Sequence, residues 1–281
     1  MSKNIKILTL LILFLLLFLA LSGIVSGPVS EVVYLAGFAL PLFFGYAYSL
    51  KDRKRREEEK GLREEPDRLF SISGKSFGLL IPLVFVTVGL VFLISFLTSI
   101  VLSLLGAAPT VRVEGNFLYL AAAYAFAPAV LEELVFRYLP IKLLSPYSKR
   151  AALIVSSLYF GFFHMDFAKI PYALVAGVIF MWIDLAFESV WPSLIIHFIN
   201  NLTSLVWLRC EGNNVIIFLS VLAFLAAVSV IAIVLCRKAY FTKFKGALTS
   251  DAYVKMHYII ILIPIISIIE SIAKLIFGEE I

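Results

Sequence analysis

Three short stretches of this chain place groups capable of acid–base chemistry inside otherwise apolar sequence. They read Glu132-Glu133-Leu134-Val135-Phe136-Arg137, Phe160-Gly161-Phe162-Phe163-His164 and His197-Phe198-Ile199-Asn200-Asn201. An ionisable side chain in a lipid-spanning segment costs about 2.5–3.5 kcal/mol on insertion scales, so such groups are rarely incidental. On a helix Glu133 and Arg137 are i,i+4 and share a face, as do His197 and Asn201. Glu132 is rotated by about 100° from Glu133 and can point elsewhere. A carboxylate, one or two imidazoles and a carboxamide are the parts of a hydrolytic set. The carboxylate and a histidine can activate water, and the His/Asn pair can hold a developing oxyanion. Each piece has a plainer reading: a Glu–Arg pair as a helix-end ion pair, His164 as a hydrogen-bonding residue between helices, Asn200 and Asn201 as interhelical glue. Those readings weaken together if the three stretches lie at one depth.

The elements that must position them are membrane helices. With 62% hydrophobic residues and a mean hydropathy of +1.01, the chain lies outside the composition of soluble domains. Apolar runs near 20 residues long suit helical spans. They fall at about 5–26, 32–50, 77–105, 118–140, 151–168, 170–187, 192–208 and 215–236. The expectation is an all-α, polytopic bundle of about eight transmembrane helices. A further run at about 258–277 reads as a ninth span or as an interfacial helix, because Pro264, Glu270 and Lys274 interrupt it. The first run reads as an uncleaved anchor rather than a secretory signal, given its length and the span that follows directly. Three regions result: 1–117 with N-terminal membrane helices and a charged loop at 51–75, a core at 118–208, and C-terminal helices at 209–281.

Charge sets an expected orientation. With the N-terminus in the cytoplasm, inside segments carry nineteen Lys and Arg and outside segments only Arg112, Lys169 and Arg209. The net charge of +5 is this loop asymmetry and not a nucleic-acid surface, since no basic patch interleaved with aromatics occurs. Lys51–Arg68 carries eight basic and seven acidic residues and reads as a solvated, ion-paired helix or linker. Cys210 and Cys236 lie at opposite ends of one span, too far apart to bridge. In this frame Glu132 sits ~12 Å from the inner membrane edge, His164 ~20 Å, His197 ~8 Å and Asn201 ~14 Å. Within the error of single-sequence boundaries these depths are compatible with one polar layer.

These stretches resemble the CAAX protease and bacteriocin-processing family (the Abi family), which includes the type II CAAX prenyl endopeptidases. The family's signature is Glu-Glu-x-x-x-Arg, then Phe-x-x-x-His, then His-x-x-x-Asn. The matching residues here are Glu132, Glu133 and Arg137, then Phe160 and His164, then His197 and Asn201, in the same order. Glu188-Ser189-Val190-Trp191-Pro192 before the last motif is also similar, and the resemblance covers about residues 118–208. It implies an eight-helix membrane bundle with a cavity open to the cytoplasm and the bilayer. By the same resemblance Glu132 is the general base, assisted by His164, with His197 and Asn201 as the oxyanion hole. Glu133, Arg137 and Phe160 then support and polarise the site. One departure is that Gly177 is followed at i+4 by Met181, where the family often has a second glycine, which puts close helix packing there in question. Asp184 has no evident role.

The resulting expectation is an integral membrane endopeptidase without a cofactor, acting on a membrane-associated peptide or protein, with prenylated CAAX proteins as one substrate class. Three alternatives stay open. A zinc metalloprotease would use Glu132, His164 and His197 as ligands, although no His-Glu-x-x-His chelate is present. A non-catalytic scaffold or immunity protein would keep the bundle without turnover. A proton-coupled transporter would use Glu132, His164 and Asp184 as a relay, but the absence of internal repeats argues against it.

Overall fold

The computed structural model describes residues 1–25, 28–61, 69–71, 73–105, 115–247 and 258–277. Among them the regular structure is helical throughout. The helices are α1 (Ser2–Ile24), α2 (Pro28–Lys60) and α3 (Gly74–Leu104), then α4, which runs unbroken over Phe117–Leu143. They continue with α5 (Lys149–Phe163), α6 (Ile170–Phe187), α7 (Trp191–Trp207), α8 (Asn213–Leu235) and α9 (Arg237–Lys245). A 3₁₀ turn at Tyr258–Ile261 leads into α10 (Leu262–Phe277).

Six of these helices, α1–α4, α6 and α8, are long and apolar enough to cross a membrane. The two other expected spans are shorter. The helix anticipated over 151–168 is 15 residues long and ends at Phe163, and the one over 192–208 has 17 residues. At ~1.5 Å per residue these reach roughly 22 and 25 Å, less than the ~30 Å hydrocarbon thickness. The run at 258–277 forms a helix of 16 residues, Leu262–Phe277, and Ile263, Ser267 and Ser271 on it are buried. The molecule is an all-α membrane bundle whose buried centre combines the long α4 with the shorter α5 and α6.

Burial follows from that arrangement. The exposed apolar side chains sit on the long helices: Phe43 and Phe44 on α2, Leu93 and Leu97 on α3, Ile216 and Phe224 on α8. In a soluble protein such a surface would be an anomaly, whereas here it is the face that meets lipid. The fully buried side chains converge on α4, α5 and α6, with Phe136, Leu139, Val155, Tyr159, Phe180 and Met181 among them. α1 joins this core through a one-sided stripe of Ile5, Leu8, Ile12 and Leu15 and through Thr9, whose hydroxyl meets that of Tyr159.

α5 and α6 make the closest contact in the bundle. A Cβ on Gly177 would stand 3.0 Å from the Ser157 backbone, and one on Gly161 would stand 2.4 Å from the Leu174 side chain and 3.0 Å from its Cα. The close packing questioned by the missing glycine at 181 is therefore present. The second glycine, Gly161, is on the neighbouring helix instead of one turn along the same one.

Pro128 and Pro140 both lie within α4, so the helix expected to stop near Pro140 continues to Leu143. A proline inside a helix removes one amide donor and crowds the carbonyl one turn before it. The chain absorbs this by widening to π-helix over Ala121–Phe126 and again over Leu134–Tyr138, each segment ending just before an X-Pro pair. Single-turn π segments of this kind are frequent at functional sites. Glu132 and Glu133 lie between the two. Outside the spans, the Tyr240 hydroxyl of α9 donates to the Leu79 carbonyl at 2.8 Å, and burial pushes its phenol up to about 12, so it remains a donor.

Candidate active site

α4 supplies two adjacent carboxylates with different surroundings. Glu133 is closed in: Oε1 lies 2.8 Å from His197 Nδ1 and Oε2 lies 3.2 Å from Arg137 Nε. An ionised carboxylate only accepts, so His197 Nδ1 carries the proton in this bond and Nε2 is left facing away from Glu133. That nitrogen lies 3.8 Å from Glu132 Oε2. Glu132 Oε2 is buried and has no hydrogen-bond partner among the described residues. An unpaired buried carboxylate oxygen is an exception that calls for a function or a missing ligand.

Arg137 holds the other side of Glu133. Its guanidinium is fully buried, donates from Nη1 to the Phe136 carbonyl and Ser156 Oγ, each at 3.2 Å, and lies 4.4 Å over the Phe160 ring. The cation is thus faced by a carboxylate, a carbonyl, a hydroxyl and an aromatic ring, while its Nε and Nη2 make no hydrogen bond among the described residues. Phe160 is also the contact of both imidazoles, with ring centroids 5.2 Å from His164 and 5.5 Å from His197.

His164 lies at the C-cap of α5 and not inside a span. Its Nδ1 is 2.9 Å from the Phe160 carbonyl. A carbonyl only accepts, so this fixes the proton on Nδ1 and leaves Nε2 as a free acceptor. The next residue, Met165, adopts a left-handed φ of 47°, and its carbonyl receives Lys274 Nζ of α10 at 3.2 Å. Asn201 is half-buried one turn after His197, on the same face of α7, and its carboxamide has no hydrogen-bond partner among the described residues. Asn200 is also half-buried and lies about 100° away around α7.

The structure therefore joins Glu132, Glu133, Arg137, Phe160 and His197 into one contiguous buried group, with His164 packed on Phe160 and Asn201 extending the His197 face. No three His, Cys, Asp or Glu side chains among the described residues are grouped so as to hold a metal ion. The set Glu132, His164 and His197 does not meet that condition. A separate apolar cavity of about 400 Å³ runs along the other face of α7, lined by Phe85, Ile199, Thr203, Phe218 and Leu222.

Two further residues complete the site and were not readable beforehand. Asp184, fully buried near the end of α6, accepts from the Ser193 amide (3.0 Å) and the Ser193 hydroxyl (2.6 Å). It caps α7 from the neighbouring helix and satisfies a first-turn amide that has no partner within α7. Ser193 is one turn before His197, so this cap fixes the rotation of the helix that presents the imidazole. The Leu69 and Phe70 carbonyls hold the same end: Val190 N donates to Leu69 (2.8 Å) and Trp191 Nε1 to Phe70 (2.8 Å). Only the Pro192-Ser193 start of α7 hinted at a capped terminus, and nothing local indicated that the capping carboxylate would lie nine residues earlier.

This segment also has a counterpart among known proteins. Residues 114–203 match the family model of type II CAAX prenyl endopeptidase Rce1-like proteins. The Rce1-like match covers about a third of the chain and includes all three polar stretches. At family level it supports a membrane protease. No curated protein and no solved structure matches the chain. Within the Rce1-like segment lie every residue of the buried group and the Asp184–Ser193 cap.

Proposed function

We propose that the protein is an intramembrane endopeptidase that hydrolyses a peptide bond of a membrane-associated substrate, with prenylated CAAX-type proteins as the first class to test. The observation that carries this reading is Glu132 Oε2, buried, unpaired and 3.8 Å from His197 Nε2. In this reading a water held by Glu132, assisted by His164 Nε2, loses its proton to Glu132 as it attacks the scissile carbonyl. The tetrahedral oxyanion is held by Asn201 Nδ2 and by His197. Glu132 then returns the proton to the leaving amine. Because Nδ1 of His197 donates to Glu133, Nε2 can donate to the oxyanion only in the doubly protonated ring. The Glu133 carboxylate stabilises that positive charge, and Arg137 and Phe160 hold Glu133 and His197 in place. The nineteen-to-three loop charge bias supports an N-terminus and a site opening on the cytoplasmic side.

The test uses purified protein in proteoliposomes with a fluorogenic peptide, prenylated or bare, ending in a CAAX-type sequence. Cleavage of the prenylated peptide by wild type, lost on Glu132→Gln, is expected. Cleavage that needs one equivalent of zinc and stops on chelation rejects the metal-free reading in favour of Glu132, His164 and His197 as ligands. No cleavage of either peptide, or of any membrane protein in a C-terminal fragment comparison of wild-type and Glu132→Ala cells, turns the reading to a scaffold.

A further inference from the structure

A second polar cluster lies where α1 begins and α2 leaves its apolar portion, beside the α4–α5 turn. Asp52 is its node. The buried carboxylate accepts from Asn4 Nδ2 at 3.0 Å and from the Tyr147 hydroxyl at 2.9 Å, and it pairs with Arg55 at 2.6 Å and with Arg56. Asn4 Nδ2 also donates to the Leu143 carbonyl at 2.7 Å, at the end of α4. Above this node opens a cavity of about 390 Å³ lined by Lys3, Lys51, Lys54 and Arg55, with Tyr48 on its wall. Its two carboxylates are Asp52, already consumed by two arginines, and exposed Glu58. Among the described residues Lys3, Lys51 and Lys54 have no ion-pair or hydrogen-bond partner.

These three lysines are therefore unlike the arginines of α2. Arg53 pairs with Glu57, and Arg55 with Asp52 and Glu59, as the ion-paired reading of this charged stretch expects for the described part up to Gly61. The unpaired lysines instead converge from two helices on one concavity, in the volume range of small-ligand sites. Its depth indicates the ligand. α2 is apolar up to Leu50 and charged from Lys51 onward, which puts the cavity at the boundary between hydrocarbon and headgroups. Directly beneath it, Phe44 lies seven residues before Lys51 on the same helical face and is 55% exposed, and Leu50 is 42% exposed. A cationic pocket sits over an apolar wall.

We propose that this pocket binds the phosphate of an anionic membrane lipid, with the acyl chains lying along the Phe44 and Leu50 side of α2. A bound phosphodiester is held by Lys3, Lys51 and Lys54, and its position is relayed to α4 through Asp52, Asn4 and the Leu143 carbonyl. The proposal is independent of the hydrolytic reading, because it uses no residue of the buried site.

Native mass spectrometry of the full chain released from micelles containing equal amounts of phosphatidylglycerol and phosphatidylcholine tests it. Wild type is expected to retain phosphatidylglycerol preferentially, and the K3Q/K51Q/K54Q variant to lose that preference by about tenfold or more. All three lysines are exposed, so the variant keeps the fold. The control R237Q/K238Q/K245Q removes three charges from α9 and is expected to change nothing. Inorganic phosphate is titrated alone against thermal stability. A saturable stabilisation that the pocket variant abolishes, without any lipid preference in wild type, supports the same phosphate site with a soluble source. Equal loss of lipid in the pocket variant and the control, or no loss in either, together with no pocket-dependent phosphate effect, overturns the proposal.

Discussion

At Glu132 and Glu133 two identical side chains, one position apart, have different surroundings, and the mechanism proposed above gives them different tasks. Glu133 meets His197 Nδ1 through Oε1 at 2.8 Å and faces Arg137 Nε through Oε2 at 3.2 Å, whereas the buried Glu132 Oε2 lies 3.8 Å from His197 Nε2. Glu132→Gln preserves shape and removes the proton acceptor, and turnover in proteoliposomes is expected to fall by about 10²–10⁴-fold with the bundle intact. Glu133→Gln can still meet His197, but it can no longer stabilise an imidazolium. It is expected to lower turnover by at least ~10²-fold, in line with the effect of replacing an orienting carboxylate behind a catalytic histidine. Binding of an uncleaved peptide is expected to be retained in both variants. On α7, Asn201→Ala is expected to cost about 10²–10³ in turnover with near-normal substrate binding, and Asn200→Ala to do neither. An exchange of those two phenotypes in the same assay rejects the register assigned to α7 and the oxyanion role with it. The identities of these residues were legible in the sequence because each is a costly polar group in an apolar run. The contrast in their surroundings was not, since helical spacing shows that Glu133 can reach Arg137 but not that His197, from a distant segment, will meet its other oxygen.

Among the elements, α4 shows where reading by periodicity stops. Its proline at 140 marks a helix end by every local rule, yet the chain continues by inserting π-helical turns that no pattern of apolar residues announces. The close α5–α6 packing at Gly161 against Leu174 and at Gly177 against Ser157 was hidden for a related reason: the two glycines are on different helices, and only packing brings those helices together. Gly161→Ala forces a Cβ into Leu174 and is expected to cost about 1–3 kcal/mol, read from the denaturant midpoint in mixed micelles. The α6–α7 turn offers the opposite change. Glu188 holds a left-handed φ of 53° with its side chain exposed, a conformation that burdens any residue with a Cβ. Glu188→Gly is expected to raise stability by up to about 1 kcal/mol in the same measurement, leaving the Asp184–Ser193 cap and turnover unchanged. The cap itself was beyond the sequence, because Asp184 reads as a stray acid until α7 is seen to start beneath it.

For the whole molecule, the all-α membrane architecture was readable from hydropathy alone, while the count of full spans was not. Buried between longer neighbours, α5 and α7 need less than a bilayer's length, and their apolar runs extend into the turns that follow them. The loop charge bias predicts that position 60, at the end of α2, faces the cytoplasm. A single cysteine there, with Cys210 and Cys236 replaced, is expected to resist an impermeant maleimide in intact cells and to react after lysis. The bundle also fixes an order of events during its own synthesis. Lys274, on the helix nearest the C-terminus, ties down the Met165 carbonyl beside His164, so the loop carrying that imidazole is secured only after every other described helix has left the ribosome. On the hydrolytic reading proposed above, a chain that has not yet produced α10 lacks this support beside His164.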